Sequence, residues 1–145
     1  MNKIECAVSC FKEGFSCSQA LLSTYGPQFD LNREMALKVS GAFGGGIGHM
    51  GETCGAVTGV IMVIGLKYGK TRAENEQIEE KAYSLIQEFV DKFNSRNGSI
   101  ICRELLGYDI STPEGMKLAK EKNLFITICP KLVQDAAEII EQILE

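Results

Sequence analysis

The segment from Cys54 to about Tyr68 is apolar on nearly every face, and this constrains the fold more than any other feature of the chain. Its large apolar side chains are Val57, Val60, Ile61, Met62, Val63, Ile64 and Leu66. They do not alternate with polar residues as they would in a half-buried strand. A helix that is apolar all round is buried among other helices. We therefore expect this helix to lie at the centre of a bundle.

Helical periodicity recurs along the rest of the chain, and strand signals are almost absent. Besides the helix at about 54–68, the predicted helices are Lys3 to Lys12, Ser16 to Tyr25, Arg33 to about Ala42, Arg72 to Asn97, Ser99 to Gly107, one from Thr112 and Pro113, and a last one from Pro130. Residues 44–51, which we call the glycine-rich loop, contain too much glycine for an ordinary helix, and we expect them to wrap close to a functional centre. The chain is thus predicted to form an all-α single domain over residues 1–145, a bundle of seven to eight helices around the central apolar helix.

Four of the six cysteines fall where four of these helices are predicted to begin. We refer to Cys17, Cys54, Cys102 and Cys129 as the four helix-start cysteines. Ser16, Thr53 and Ser99 are the predicted N-cap hydroxyls of the first three helices. A proline follows the fourth cysteine at the first helical position. A helix N-terminus presents unpaired N–H groups and roughly half a positive charge, which favours thiolate over thiol. Because thiolates attack disulfides and ligate metals, the pattern predicts function through sulfur.

Length and charge argue against several classes of function. A chain of 145 residues is long enough to bury a core, and its net charge of −4 with no basic stripe does not suit nucleic-acid binding. The N-terminal segment lacks the apolar run and cleavage site of an export signal. The longest apolar stretch is far shorter than the ~20 residues that a spanning helix needs. We expect a soluble, cytoplasmic protein without membrane insertion, compatible with a homodimer.

Cysteines in a reducing compartment are used as reactive thiols or metal ligands more often than as permanent disulfides. Three kinds of centre remain open: an iron–sulfur cluster, one or two redox disulfide pairs, and structural zinc. Zinc is the weakest, because its ligands usually come as close C-x-x-C pairs and the chain has none. The cluster is slightly favoured over the disulfide, since four thiolates from four helices suit a shared centre. A structural domain with buried, inert cysteines is the remaining alternative.

The residues around the cysteines form a wider pattern. Residues 14–20 (GFSCSQA) precede residues 54–59 (CGAVTG), and two isolated cysteines follow at Cys102 and Cys129. In this pattern the chain resembles the C_GCAxxG_C_C family of redox-active proteins over essentially its whole length. The resemblance implies that the four helix-start cysteines are the functional ones. It also implies a redox partner protein or a transporter-associated partner.

Three further residues are candidates to tune the centre, and Cys6 and Cys10 are not among them because they fall outside the family pattern. The N–H groups of Gly55 and Ala56 point back toward the Cys54 sulfur, where they would lower its pKa or tune a cluster potential. His49, the only histidine, is placed to orient a thiolate, shuttle a proton or act as a ligand. The expected function is that of an oxidoreductase or electron-transfer protein. The alternative is a non-catalytic module that carries a metal or sulfur species for a transporter or enzyme.

Overall fold

The computed structural model describes all 145 residues, and its regular secondary structure is helical apart from one isolated bridge. The α-helices are α1 (Lys3–Lys12), α2 (Cys17–Tyr25), α3 (Arg33–Ser40), α4 (Gly55–Tyr68), α5 (Glu76–Asn97), α6 (Cys102–Leu106), α7 (Pro113–Glu121), α8 (Leu124–Thr127) and α9 (Cys129–Leu144). Short 3₁₀ turns, Gly26–Phe29 and Gly41–Phe43, follow α2 and α3. The prediction of an all-α fold is confirmed. No helix combines the length and the apolar character that crossing a membrane requires.

Capping residues begin two helices where the sequence predicts. Ser16 caps α2 in a reciprocal capping box: its hydroxyl accepts from the Gln19 N–H at 3.3 Å, and the Gln19 side chain accepts from the Ser16 N–H at 2.9 Å. Thr112 caps α7 by accepting from the N–H of Gly115 at 2.9 Å. The short α8 was not predicted, because the residue before it, Asn123, begins it from a left-handed conformation without a side-chain cap.

The segments that precede α4 and α6 lie antiparallel to each other. The N–H of Cys54 donates to the carbonyl of Ile100 at 2.7 Å, and the N–H of Cys102 donates to the carbonyl of Glu52 at 2.6 Å. These bonds join parts of the chain that are distant in sequence and are the only strand-like pairing in the fold. The pairing brings the starts of α4 and α6 together.

Two predicted N-caps are wrong as a result of this pairing. The N-cap of α4 is Cys54 rather than Thr53, and that of α6 is Ile101 rather than Ser99. The Ser99 hydroxyl is used locally instead and accepts from the N–H of Ile101 at 2.9 Å. In addition, α5 begins about one turn later than predicted, at Glu76.

The apolar helix α4 packs against α2, α5 and α9. Most of its residues up to Ile64 are buried, whereas its last turn reaches the surface, where Leu66 is 38% exposed. The main apolar core contains 22 buried residues, drawn largely from α2, α4 and α9. A smaller cluster of five contains Cys102, Leu106, Ile110, Ala119 and Cys129. Removal of these side chains from water is the main force that holds the helices together.

Two glycines allow α2 and α4 to approach each other closely. A Cβ at Gly59 would lie 2.9 Å from that of Leu21, and one at Gly55 would lie 3.2 Å from that of Cys17. Both distances are shorter than ordinary van der Waals contacts between carbon atoms. Any larger residue would push the helices apart, so the glycines hold the start of α2 beside Cys54.

Candidate functional site: a cavity lined by four cysteines

The four helix-start cysteines line one cavity of about 900 Å³, which we call the cysteine cavity. Cys54 is the N-cap of α4, and the other three are the first residues of α2, α6 and α9. Cys54, Cys102 and Cys129 are buried, and Cys17 is half-buried. All are free thiols. The structure therefore places the starts of four helices around one space.

The Cys54 thiol has a pKa below its ordinary value. The largest cause is a hydrogen bond from the Cys17 thiol, and the backbone N–H groups of Ala56 and Val57 add further bonds. Burial acts in the opposite direction but does not cancel these donors. The first turn of α4 thus stabilises a thiolate at Cys54, as a helix N-terminus is expected to do.

The expectation that each helix-start cysteine favours the thiolate is wrong for two other thiols. Cys17 has a pKa well above its ordinary value because it donates hydrogen bonds to Cys129 and Cys54, and burial raises it further. Burial, and then the negative charges of Cys54 and Cys129, raise the pKa of Cys102 to about 12. Desolvation and neighbouring sulfur charges therefore outweigh the partial charge of a helix N-terminus at these positions.

The residues predicted to tune the centre take different positions. The N–H of Ala56 bonds the Cys54 sulfur, but the second such donor is Val57 rather than Gly55. Gly55 lines the cavity and permits the close approach of α2. His49 also lines the cavity, with its side chain exposed.

The glycine-rich loop lies against the cysteine cavity in a left-handed turn. Five consecutive residues, 45–49, have φ between 57° and 70°. Ile47 is among them, and a β-branched residue in this region costs about 1–2 kcal/mol. A Cβ at Gly46 would lie only 2.7 Å from that of Cys102, so the loop passes directly over this cysteine. Backbone strain of this kind is maintained where the surrounding structure over-determines it, often at functional sites.

Several cavity residues were not identified from the sequence. Three phenylalanines, Phe11, Phe15 and Phe125, form part of its wall. Helical periodicity places Phe11 on an apolar face but does not tell whether that face meets a core or a cavity.

Glu52, next to the cysteine motif, forms an ion pair with Arg103 at 2.9 Å, a long-range contact that no local signal indicates.

Cys6 and Cys10 lie outside the cavity, one turn apart on α1. The Cys10 sulfur is 3.6 Å from the Ser23 hydroxyl oxygen. Their position agrees with their place outside the family pattern.

No group of three or more cysteine, histidine, aspartate or glutamate side chains has an arrangement that could hold a metal ion. Structural zinc sites need four such ligands around one point.

The fold and the site together give the class of this protein: it is a small all-helical protein with four thiols around one cavity. A family model described as "Putative redox-active protein (C_GCAxxG_C_C)" matches residues 15–143. The match extends over most of the chain, so the protein belongs to the C_GCAxxG_C_C family, and the resemblance inferred from the cysteine pattern is confirmed. Neither the curated proteins nor the solved structures include a match.

Cys54 is expected to be alkylated at a lower pH than Cys17 or Cys102, because its pKa is lowered and theirs are raised. Replacing Cys17 by alanine removes the largest donor to the Cys54 thiolate. Alkylation of Cys54 at neutral pH should then slow by roughly tenfold, the effect of one charge-assisted hydrogen bond. Iodoacetamide pulses over a series of pH values, read by peptide mass spectrometry, measure this order. Cys10→Ala is the control that should leave the alkylation rate of Cys54 unchanged. Alkylation of Cys17 at a lower pH than Cys54 would contradict the prediction.

Proposed function

We propose that this protein is a thiol–disulfide redox protein in which Cys54 attacks and Cys17 resolves. The observation that carries the proposal is that Cys17 and Cys54 line the same cavity at the starts of two packed helices, where the Cys17 thiol lowers the pKa of Cys54. Disulfide exchange requires a thiolate as nucleophile and a second sulfur close enough to displace the bound substrate. Membership of a redox-active family agrees with this chemistry.

The reaction begins when the Cys54 thiolate attacks one sulfur of a substrate disulfide and the other substrate sulfur leaves as a thiolate. Cys54 is then uncharged, so the Cys17 thiol loses one of its two sulfur acceptors, and its proton passes to the departing thiolate. Cys17 attacks the Cys54 sulfur and releases the second substrate thiolate. Two electrons pass from the protein to the substrate, which leaves as one thiol and one thiolate. A dithiol redox partner protein reduces the Cys17–Cys54 disulfide again.

Cys129 has a different place in this scheme because Cys17 donates a hydrogen bond to it as well. Attack of the Cys129 sulfur on Cys17 would move the disulfide to Cys17–Cys129 and release Cys54 as a thiolate. The redox partner would then have to reduce the Cys17–Cys129 bond before a further cycle, because Cys17 must be free to resolve. Cys102, with its pKa raised to about 12, stays protonated at neutral pH and is not expected to attack.

A four-cysteine iron–sulfur cluster is the second candidate, and it is supported by the placement of all four helix-start cysteines around one cavity. These cysteines would be its ligands, and the bound cluster would supply one-electron transfer. All four would have to be thiolates. Cys17 and Cys102 would each release a proton that a raised pKa now retains. Because a coordinating metal deprotonates its thiol ligands, these protons would be released when a cluster is assembled. The lowered pKa of Cys54 beside Cys17 is the property that a dithiol uses directly, and it favours the dithiol.

Purification without oxygen, with iron and sulfide analysis, visible absorption and thiol titration, separates the two candidates. We expect no stoichiometric iron or sulfide. Mild oxidation should remove two thiols, yield a Cys17–Cys54 disulfide on peptide mapping, and be reversed by dithiothreitol. Stoichiometric iron and sulfide with visible absorption would favour the cluster instead. A metal-free protein whose thiols are not reversibly oxidised would contradict both.

The carrier alternative is tested by the same preparation. A redox protein should show a reversible midpoint potential in the physiological range. A protein that carries a metal or sulfur species for a transporter or enzyme should show exchangeable bound ligand and no such potential. The volume of the cysteine cavity is compatible with either, and the unequal thiols favour the redox function.

A further inference from the structure

The charged side chains that line the cysteine cavity differ from those of the chain as a whole. Apart from cysteines, its only ionisable lining residues are Lys12 and His49, and no carboxylate lines it. The chain as a whole has 19 acidic residues and a net charge of −4. Lys12, in the last turn of α1, has no ion-pair partner, unlike the cavity-adjacent Arg103, which is neutralised by Glu52. Apart from the sulfur centre itself, the cavity therefore offers one unpaired ammonium group that can hold an anionic group of a ligand.

The glycine-rich loop supplies neutral donors to the same cavity. Gly44, Gly45 and Gly46 line it, and none of their three N–H groups donates to a backbone or side-chain acceptor of the protein. Gly44 and Gly46 are buried. Buried N–H groups are nearly always paired. Successive backbone N–H groups around a left-handed turn form a concave site for an anion.

The remaining wall is apolar and of the size that a small organic molecule fills. It is formed by Phe11, Phe15, Leu105, Phe125 and Leu132 among others. A volume of about 900 Å³ lies at the upper end of cavities that enclose small ligands. An inorganic anion alone would leave most of this apolar surface uncovered.

We propose that the cysteine cavity binds a low-molecular-weight organic disulfide that carries a carboxylate. The carboxylate is held by the N–H groups of the glycine-rich loop and the Lys12 ammonium group, the organic part contacts the phenylalanines, and the disulfide is presented to Cys54. This inference rests on the proposed function, because it names the substrate that the Cys54 thiolate attacks. The exchange is the one described above: the substrate disulfide accepts two electrons and leaves as a carboxylate-bearing thiol and thiolate.

Matched disulfides test the preference for an anion. The reduced protein is mixed with 3,3′-dithiodipropionate, bis(2-hydroxyethyl) disulfide or cystamine. The rate for each disulfide is divided by the rate at which dithiothreitol reduces the same disulfide, which removes differences in intrinsic reactivity. The normalised rate for the dicarboxylate should exceed that for the neutral compound by roughly tenfold, the effect of one charge-assisted contact. Lys12→Gln should reduce this ratio several-fold. Lys120→Gln, which removes a lysine outside the cavity, is the matched control. Equal normalised rates would overturn the proposal.

A second measurement does not depend on redox activity. The thioether 3,3′-thiodipropionate has the same carboxylates and no disulfide, so it can bind but cannot react. It should shift the amide resonances of Gly44, Gly45 and Gly46 and compete with the disulfide substrate. Shifts in a protein that reduces no disulfide would support the anion site and contradict the proposed function. Disulfide reduction without any shift would support the proposed function and contradict the anion site. If inorganic sulfate competed with the disulfide substrate as strongly as 3,3′-thiodipropionate does, the role of the apolar wall would be overturned.

Discussion

Replacement of Cys54 by serine is expected to lower the rate of small-disulfide reduction by at least about a thousandfold, the scale on which loss of a catalytic nucleophile acts. Serine keeps the size of the side chain, but its hydroxyl is not ionised at neutral pH and cannot take the place of a thiolate. The N–H groups of Ala56 and Val57 would remain in place without an anion to stabilise. Release of thiol from an aromatic disulfide, followed by absorbance, measures the rate.

Cys10→Ser is the matched control for this substitution. Cys10 and Cys54 are buried to a similar degree, with exposures of 7% and 4%. Cys10 lies outside the cysteine cavity, so the control should retain the rate even where it lowers stability. A Cys54→Ser protein with an unchanged rate, or a Cys10→Ser protein with a comparable loss, would show that the nucleophile is elsewhere.

The second large effect is on stability, and it has opposite signs at two positions of one helix. Gly59→Ala should lower the free energy of unfolding by about 1–3 kcal/mol, because its Cβ would meet that of Leu21 at 2.9 Å and force α2 away from α4. Gly65→Ala should raise it by up to about 1 kcal/mol, because no atom lies within 4 Å of the added Cβ and alanine favours the helix. Urea denaturation of both variants measures the difference.

The Gly59→Ala variant is also expected to change the reactivity of Cys54. If α2 moves away from α4, the Cys17 thiol moves away from Cys54 and its hydrogen bond weakens. The pKa of Cys54 should then rise, and its alkylation at neutral pH should slow, whereas Gly65→Ala should leave alkylation unchanged. An equal effect of the two alanines on stability would contradict the close approach of the helices.

Local signals were sufficient for most helix boundaries. The reciprocal bonds of Ser16 and Gln19, and the cap at Thr112, involve residues only three positions apart. Such signals act within one turn, so they can be interpreted without knowledge of the fold. The caps predicted at Thr53 and Ser99 failed because a backbone pairing between distant segments replaced them.

The candidate site was accessible from the sequence only in part. The pattern of helix starts and the motif at residues 54–59 pointed to the four helix-start cysteines. The phenylalanine wall and the free Lys12 carry no such signal, because the side of a helix that faces a cavity depends on how its neighbours pack. Ile47 would be assigned to a core on composition, yet it occupies a strained left-handed turn.

An all-helical fold and the placement of four cysteines at helix starts follow from the sequence, because periodicity and turn chemistry are properties of neighbouring residues. Which of these thiols has a lowered pKa was decided only by the tertiary structure. A pKa depends on burial and on charges and donors within a few ångströms. Cys54 receives its main donor from Cys17 on another helix, whereas Cys102 is buried beside sulfurs contributed by two further helices. Similar local settings therefore have different pKa values, lowered at Cys54 and raised at Cys17 and Cys102, because the packing around each thiol differs.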